Sequence, residues 1–279
     1  MIAHRPFHVS IFALAAVVTA ALPLDSHAQD AAKVQANVQT NAQAVAQAPA
    51  PECRAPADIT RLTTPLSRTA KKLASGDPLK IVAIGSSSTA GAGATSPANS
   101  YPSRLAVELA TLFPKQQINV INRGVNGEEA RDMLARFDAN VIAEKPDLVI
   151  WQVGTNAVLR DQPLMPAGGL MHAGLAKLKA IGADVILLDL QFAPKVLAKT
   201  DADSMVDLIG ATAKKENVGL FQRFAVMRYW RQVSKIPYDK FLSPDELHMN
   251  DWSYGCIAKL LAGSIADASA RTTLTAGVK

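Results

Sequence analysis

The chain has 279 residues, 49% of them hydrophobic and 19% charged, with a formal net charge of +5. That length accommodates one large domain with a substantial core. The basic excess is modest and includes no Lys/Arg run, which points to solubility and attraction to anionic envelope surfaces and away from nucleic-acid binding.

Residues 1–28 begin with a short polar segment carrying Arg5, continue through an apolar run from Ile11 to about Leu24, and end in Ser26-His27-Ala28. This is the pattern of a secretory signal peptide, with cleavage predicted before Gln29. The alternative is an uncleaved anchor, although the apolar run is short for a membrane span. Cleavage removes one charge of each sign, Arg5 and Asp25, so the mature chain keeps its +5 and is expected to have no stable span. A periplasmic or secreted protein is expected. Residues 29–56 are rich in Ala, Gln, Val, Asn and Pro with few charges, which reads as a linker. Order is expected from near Cys53, and residues 57–279 are expected to form the domain.

An exported chain with two cysteines, Cys53 and Cys256, has a disulfide as its first hypothesis, with two separate buried thiols as the alternative. Two cysteines and scattered histidines give no metal-ligand spacing, so neither a metal nor another cofactor is expected.

From Lys80 onward, short β-branched runs alternate with amphipathic stretches, the signature of parallel βαβ units. Strands are predicted at Lys80–Ile84, Ile118–Asn122, Leu148–Val153, Val185–Leu190 and Val218–Phe221. Helical stripes run through Leu105, Leu109 and Leu112; Met133, Phe137 and Val141; and Met205, Leu208 and Ile209. In the last helix Trp252, Cys256 and Leu260 recur at steps of four, with Ile257, Leu261 and Ile265 alongside. The predicted fold is α/β, a three-layer α/β/α sandwich with about five parallel strands. Ligands bind such sheets at the carboxyl ends of the strands.

Three strand ends carry motifs. The first runs from Ile81 to Gly91 as IVAIGSSSTAG, a strand breaking at Gly85 into hydroxyl residues at a helix start. That geometry exposes an oxygen nucleophile beside backbone N–H groups. Neither a phosphate loop nor a dinucleotide fingerprint matches its glycine spacing. The second strand leads into Asn-Arg-Gly-Val-Asn-Gly (122–127), the third into Gly-Thr-Asn (154–156), and Asp245-Glu-Leu-His248 precedes the final helix.

In order and spacing these blocks resemble the SGNH, or GDSL-type, hydrolases, from about Lys80 to Ala266. Thr89 and Gly91 set the register that makes Ser87 the nucleophile. The resemblance implies an oxyanion hole formed by Ser87, Gly127 and Asn156, with Asp245 and His248 completing a triad. The chemistry gives each a role. A serine hydroxyl needs a base to take its proton. An imidazole can take that proton and return it to the leaving group. Asp245, three residues before His248, can hold the useful tautomer. Donors from Gly127 and Asn156 would meet the developing oxyanion. His172 has no acid at that spacing and reads as a surface or core residue in a helix.

Two positions depart from the family pattern: Ser86 stands where an aspartate is usual, and Ala157 follows Asn156 where another often does. Both aspartates support loop geometry, so the departures bear on subfamily. Gln152, Gln191 and Arg123, at strand ends, are candidate substrate contacts, whereas Trp151 is expected within the sheet. The expected activity is hydrolysis of short-chain esters, with O-acetyl groups on carbohydrate as the leading substrate. A glycan O-acyltransferase and a non-catalytic envelope-binding protein are the alternatives. The partner is then a small-molecule or glycan ester, with oligomeric state open.

Overall fold

The computed structural model describes residues 50–276. The expected signal peptide and most of the expected linker lie outside the described residues. The first described residues are fastened to the domain. Cys53 is disulfide-bonded to Cys256, Trp252 Nε1 donates to the Pro51 carbonyl at 3.0 Å, and Trp230 Nε1 donates to the Arg54 carbonyl at 3.0 Å.

In chain order the elements are α1 (Ala57–Thr60), α2 (Ser67–Ser75), β1 (Leu79–Gly85), α3 (Ser87–Ala90), α4 (Tyr101–Leu112) and β2 (Ile118–Gly124). Next come α5 (Ala130–Ala135), α6 (Phe137–Asn140), β3 (Leu148–Gln152), α7 (Thr155–Leu159), α8 (Leu164–Ala180) and β4 (Asp184–Leu188). The remainder is α9 (Pro194–Leu197), α10 (Ala202–Glu216), β5 (Gly219–Phe221), α11 (Arg223–Gln232) and α12 (Asp251–Ala276).

The five strands form one parallel sheet in the order β2-β1-β3-β4-β5. β3 lies at its centre and is buried along its whole length, as expected of a Leu-Val-Ile-Trp run covered on both faces. Each large apolar side chain so buried contributes about 1.5–3 kcal/mol. One group of packed helices includes α2, α4 and α12; another includes α5, α8 and α10. Trp151 is buried, with its Nε1 3.2 Å from Met133 Sδ and its ring edge-to-face with Phe137.

Two helical stripes differ from expectation. Leu112 closes α4 and is 49% exposed, so the apolar face of that helix ends at Leu109. Met133, Phe137 and Val141 are all buried, yet Arg136, at φ −113°, divides their stretch into α5 and α6. The guanidinium of that residue reaches the Arg123 carbonyl at 2.8 Å and the Glu128 carboxylate.

The strand order reverses between β1 and β3, because the chain leaves β1 for β2 on one side and returns to β3 on the other. The crevice outside their carboxyl ends is where such sheets bind ligands. Ser87 follows β1 and Asn156 follows β3, so both occupy that edge.

Candidate active site

Ser87 is the first residue of α3, a single turn with Ser86 as its cap. Its N–H has no acceptor within the helix, as is general for first-turn donors. Thr89 and Ala90 both donate their N–H groups to the Ser86 carbonyl, closing the turn. Gln152, at the end of β3, accepts from Ser86 N at 2.8 Å and Ser86 Oγ at 2.9 Å. The glutamine thus anchors a turn that lacks the family's usual aspartate. On the far side, Asn122 Nδ2 donates to the Thr89 carbonyl at 2.8 Å, and Gly124 N donates to Asn122 Oδ1 at 2.9 Å. A Cβ on Gly124 would collide with the backbone of Ala90, so only glycine lets β2 approach α3.

The Asp245–His248 segment is a loop closed by an antiparallel bridge between the buried Leu242 and Met249. Ser243 N donates to the His248 carbonyl at 2.8 Å, and Glu246 takes a left-handed φ of 57°. His248 Nε2 lies 2.8 Å from Ser87 Oγ, and its Nδ1 lies 2.5 Å from Asp245 Oδ2. The other carboxylate oxygen of Asp245 accepts from Ser243 Oγ at 2.6 Å and from the N–H groups of Leu247 and His248. Burial works against the charge on Asp245, but these hydrogen bonds together outweigh it and hold the carboxyl well below the usual carboxylate range. A negative acceptor on Nδ1 selects the tautomer whose Nε2 can accept a proton from Ser87.

The loop after β2 is clipped to α7. Asn156 Nδ2 donates to the Glu128 carbonyl at 2.8 Å, while Arg160 donates to the Gly127 carbonyl at 2.8 Å and pairs with Glu129 at 2.7 Å. Gly127 has φ +80°, and a Cβ there would meet nothing closer than Arg160 Nη2 at 3.5 Å. Backbone conformation, not space, is what calls for glycine here. Beside this loop opens a cavity of about 500 Å³ lined by Glu129, Arg131, Asp132, Ala157, Gln162 and Leu170, among others.

The candidate substrate contacts sit at strand ends, as expected, and are held by bonds within the protein. Gln152 is 1% exposed and is spent on Ser86. Gln191, also 1% exposed, accepts from Thr155 Oγ1 at 3.0 Å and from Arg223 at 3.0 Å. Arg123 pairs with Glu144 at 2.6 Å. All three lie at strand ends, but their recorded bonds are internal. His172 pairs with Glu216 at 2.7 Å, between α8 and α10.

Arg136, Arg223 and Asp189 were not singled out from sequence. Arg136 binds Glu128 and the backbone at the end of β2, and so braces the loop that carries Gly127. Asp189 directly follows β4, and Arg223 follows β5 by two residues. The rule that chemistry gathers after strands, extended to the last two strands, reaches both.

The Non-GDSL lipase-like family model matches residues 52–271. An acetylxylan esterase of Geobacillus stearothermophilus is 42% identical over 59 residues, 20% of this chain and 27% of that protein. An arylesterase of Vibrio mimicus is 28% identical over 125 residues, 45% of this chain and 61% of that protein. The chain therefore spans less than two thirds of the length of either relative. Among solved structures, a two-domain esterase active on acetylated mannans superposes with a TM-score of 0.61 at 20% identity, covering 76% of this chain and 57% of that one. That likeness shows the fold alone, whereas the family match over most of its length shows that the chain belongs to the Non-GDSL lipase-like family.

Proposed function

We propose that the protein is a serine esterase that removes short acyl groups, foremost O-acetyl groups on carbohydrate, through an acyl-enzyme on Ser87. The observation that carries the reading is His248 bridging Ser87 Oγ and Asp245 Oδ2. As Ser87 Oγ attacks the ester carbonyl, His248 Nε2 takes its proton, and Asp245 stabilises the imidazolium that forms. The carbonyl oxygen becomes an oxyanion facing the N–H groups of Ser87 and Gly127 and the second N–H of the Asn156 amide. Removing one such donor typically costs about 3 kcal/mol of barrier. The intermediate collapses by breaking the C–O bond to the alcohol, which leaves with the proton from His248. Water then attacks acyl-Ser87, giving up a proton to His248, and a second collapse releases the acid and restores the serine.

Two relatives support the substrate class. Their names refer to acetylated polysaccharides, one an acetylxylan and the other mannans. The cavity beside the Gly127 loop is within the size range of small-ligand sites and carries mixed polar and apolar residues, which suits a sugar as the alcohol portion. No helix among the described residues is long and apolar enough to cross a membrane. The disulfide supports a periplasmic or secreted location.

The test is burst kinetics with p-nitrophenyl acetate on wild type beside Ser87→Ala, with mass spectrometry for an acetyl adduct, followed by acetylated oligosaccharide as substrate. A burst and an adduct that vanish in the variant, with acetate released from the oligosaccharide, are expected. Acetyl transfer to an added glycan in preference to water would make the protein an acyltransferase. A correctly folded protein with neither burst nor adduct would favour a narrow acyltransferase or a non-catalytic binder.

A further inference from the structure

Behind the turn that carries Ser87 lies a cation shut away from water. Arg223 opens α11 and is 0% exposed. Its Nη1 donates to Ser88 Oγ at 3.0 Å, and its Nη2 donates to the Asp189 carbonyl at 2.5 Å and to Gln191 Oε1 at 3.0 Å. Its Nε is a buried donor with no partner among the described residues. Asp189 accepts from Phe224 N at 2.9 Å, tying the start of α11 to the end of β4. Gln191 also accepts from Thr155, the neighbour of Asn156. One guanidinium thus meets the nucleophile turn, the end of β4 and, through Gln191, the start of α7.

Taking a guanidinium out of water carries a desolvation penalty that an apolar residue of similar volume avoids, so stability alone is a poor reason for this arrangement. The turn it meets has a clear need of support. A four-residue helix cannot hold its own geometry and depends on tertiary anchors. Gln152 anchors its cap and Asn122 its end, and Arg223 reaches Ser88 between them. A misplacement of about 1 Å at a reacting group can cost a hundredfold in rate.

We propose that Arg223 is a positioning residue: by holding Ser88 Oγ it fixes the orientation of the Ser87 hydroxyl and N–H towards the ester carbonyl. The inference rests on the reading of Ser87 as nucleophile and adds to it a buried cation that acts through the neighbouring serine.

The experiment compares wild type with Ser88→Ala, Arg223→Lys, Arg223→Met and the double variant Ser88→Ala/Arg223→Met, using p-nitrophenyl acetate. Reactive sites are counted by titration with a fluorophosphonate, so that turnover is expressed per competent molecule and loss of folded protein does not enter. Ser88→Ala and Arg223→Met are each expected to lower kcat at least tenfold with KM within twofold, and Arg223→Lys to recover part of the loss. The double variant is expected to be no slower than the slower single one, because both remove the same contact. Should Arg223→Met fail to fold, Ser88→Ala decides alone, since it removes only the acceptor hydroxyl. A kcat per titrated site within twofold of wild type in Ser88→Ala, whatever its Tm, overturns the proposal and leaves the nucleophile reading intact. Wild-type turnover in Ser87→Ala, or no labelling of wild type by the phosphonate, overturns both.

Discussion

His248 Nε2 and Ser87 Oγ stand 2.8 Å apart although 161 residues separate them in the chain. The helix start after β1 and the loop before α12 converge on a proton-transfer distance. Replacing either partner by alanine is expected to lower kcat by roughly three to six orders of magnitude, with residual catalysis coming from the oxyanion donors and binding. Steady-state kinetics with p-nitrophenyl acetate, beside circular dichroism to establish folding, checks this. Full activity in Ser87→Ala would move the nucleophile to Ser86 or Ser88.

Asp245 is expected to matter for both rate and acid stability. Asp245→Asn keeps the shape but turns an acceptor of the His248 Nδ1 proton into a group that can present an N–H, and kcat should fall roughly a thousandfold. The carboxyl is held below its ordinary value in the fold, so its contribution to stability is complete above the unfolded value of about 4 and is lost as pH falls further. Its side chain is 43% exposed, which limits the size of that contribution. Thermal melts between pH 3 and 6 should show the Asn variant losing less Tm on acidification than wild type; parallel curves would contradict the assignment.

The five strands were legible because parallel strands covered on both faces read as short apolar runs, and each observed strand lies within about two residues of its predicted ends. Ser87, Asn156 and the Asp245–His248 block were legible because each follows a strand or precedes a helix in a compact motif. The roles of Gln152 and Gln191 were not. A strand-end position is readable locally, but whether the side chain turns to the crevice or beneath a neighbouring turn depends on packing against other strands and helices. The position of Arg223 after β5 is also readable, but its contact with Ser88 is not, since it spans 135 residues and leaves no periodic trace. The division between α5 and α6 at Arg136 likewise comes from tertiary bonds overriding a good helical stripe.

The cavity beside the Gly127 loop leads to a specificity prediction. Arg131 and Gln162 line it but make no part of the Ser87–His248–Asp245 chain. If it receives the sugar, Arg131→Ala and Gln162→Ala should raise KM for acetylated oligosaccharide roughly three- to tenfold, as expected for loss of about one hydrogen bond. KM for p-nitrophenyl acetate should change by less than twofold. Equal effects on both substrates would place the sugar elsewhere.

Asp189 gives a second pH signature, opposite in sign to that of Asp245. Burial pushes its carboxyl up to about 7, against the Phe224 N–H and the nearby Arg223 charge. The folded state therefore retains the proton over a range in which the unfolded chain, at about 4, has lost it. This contribution to stability is complete below pH about 4 and is lost as pH rises to about 7. Asp189→Asn keeps an acceptor for Phe224 and cannot ionise, so it should gain stability relative to wild type between those limits. A Tm difference between variant and wild type that stays constant from pH 4 to 7.5 would show that Asp189 does not titrate there.

The Cys53–Cys256 bridge closes a loop of 203 residues and pins the segment before α1 to α12. Loop-closure entropy alone would make so long a cross-link worth about 5 kcal/mol, but measured values centre on about 2–4 kcal/mol. For a domain of this size that corresponds to a fall in Tm of about 5–15 °C when the bridge is removed. The hydrogen bonds from Trp252 and Trp230 to the Pro51 and Arg54 carbonyls do not depend on the sulfur atoms, so the segment retains two local attachments. Calorimetry of the Cys53→Ser/Cys256→Ser double variant should therefore show a lower Tm with kcat at 25 °C within twofold of wild type, since neither cysteine touches Ser87, His248 or Asp245 through any recorded bond. An unchanged Tm would mean that the two tryptophans suffice to hold the segment, whereas a lost kcat at full folding would mean that the bridge supports the His248 loop through α12.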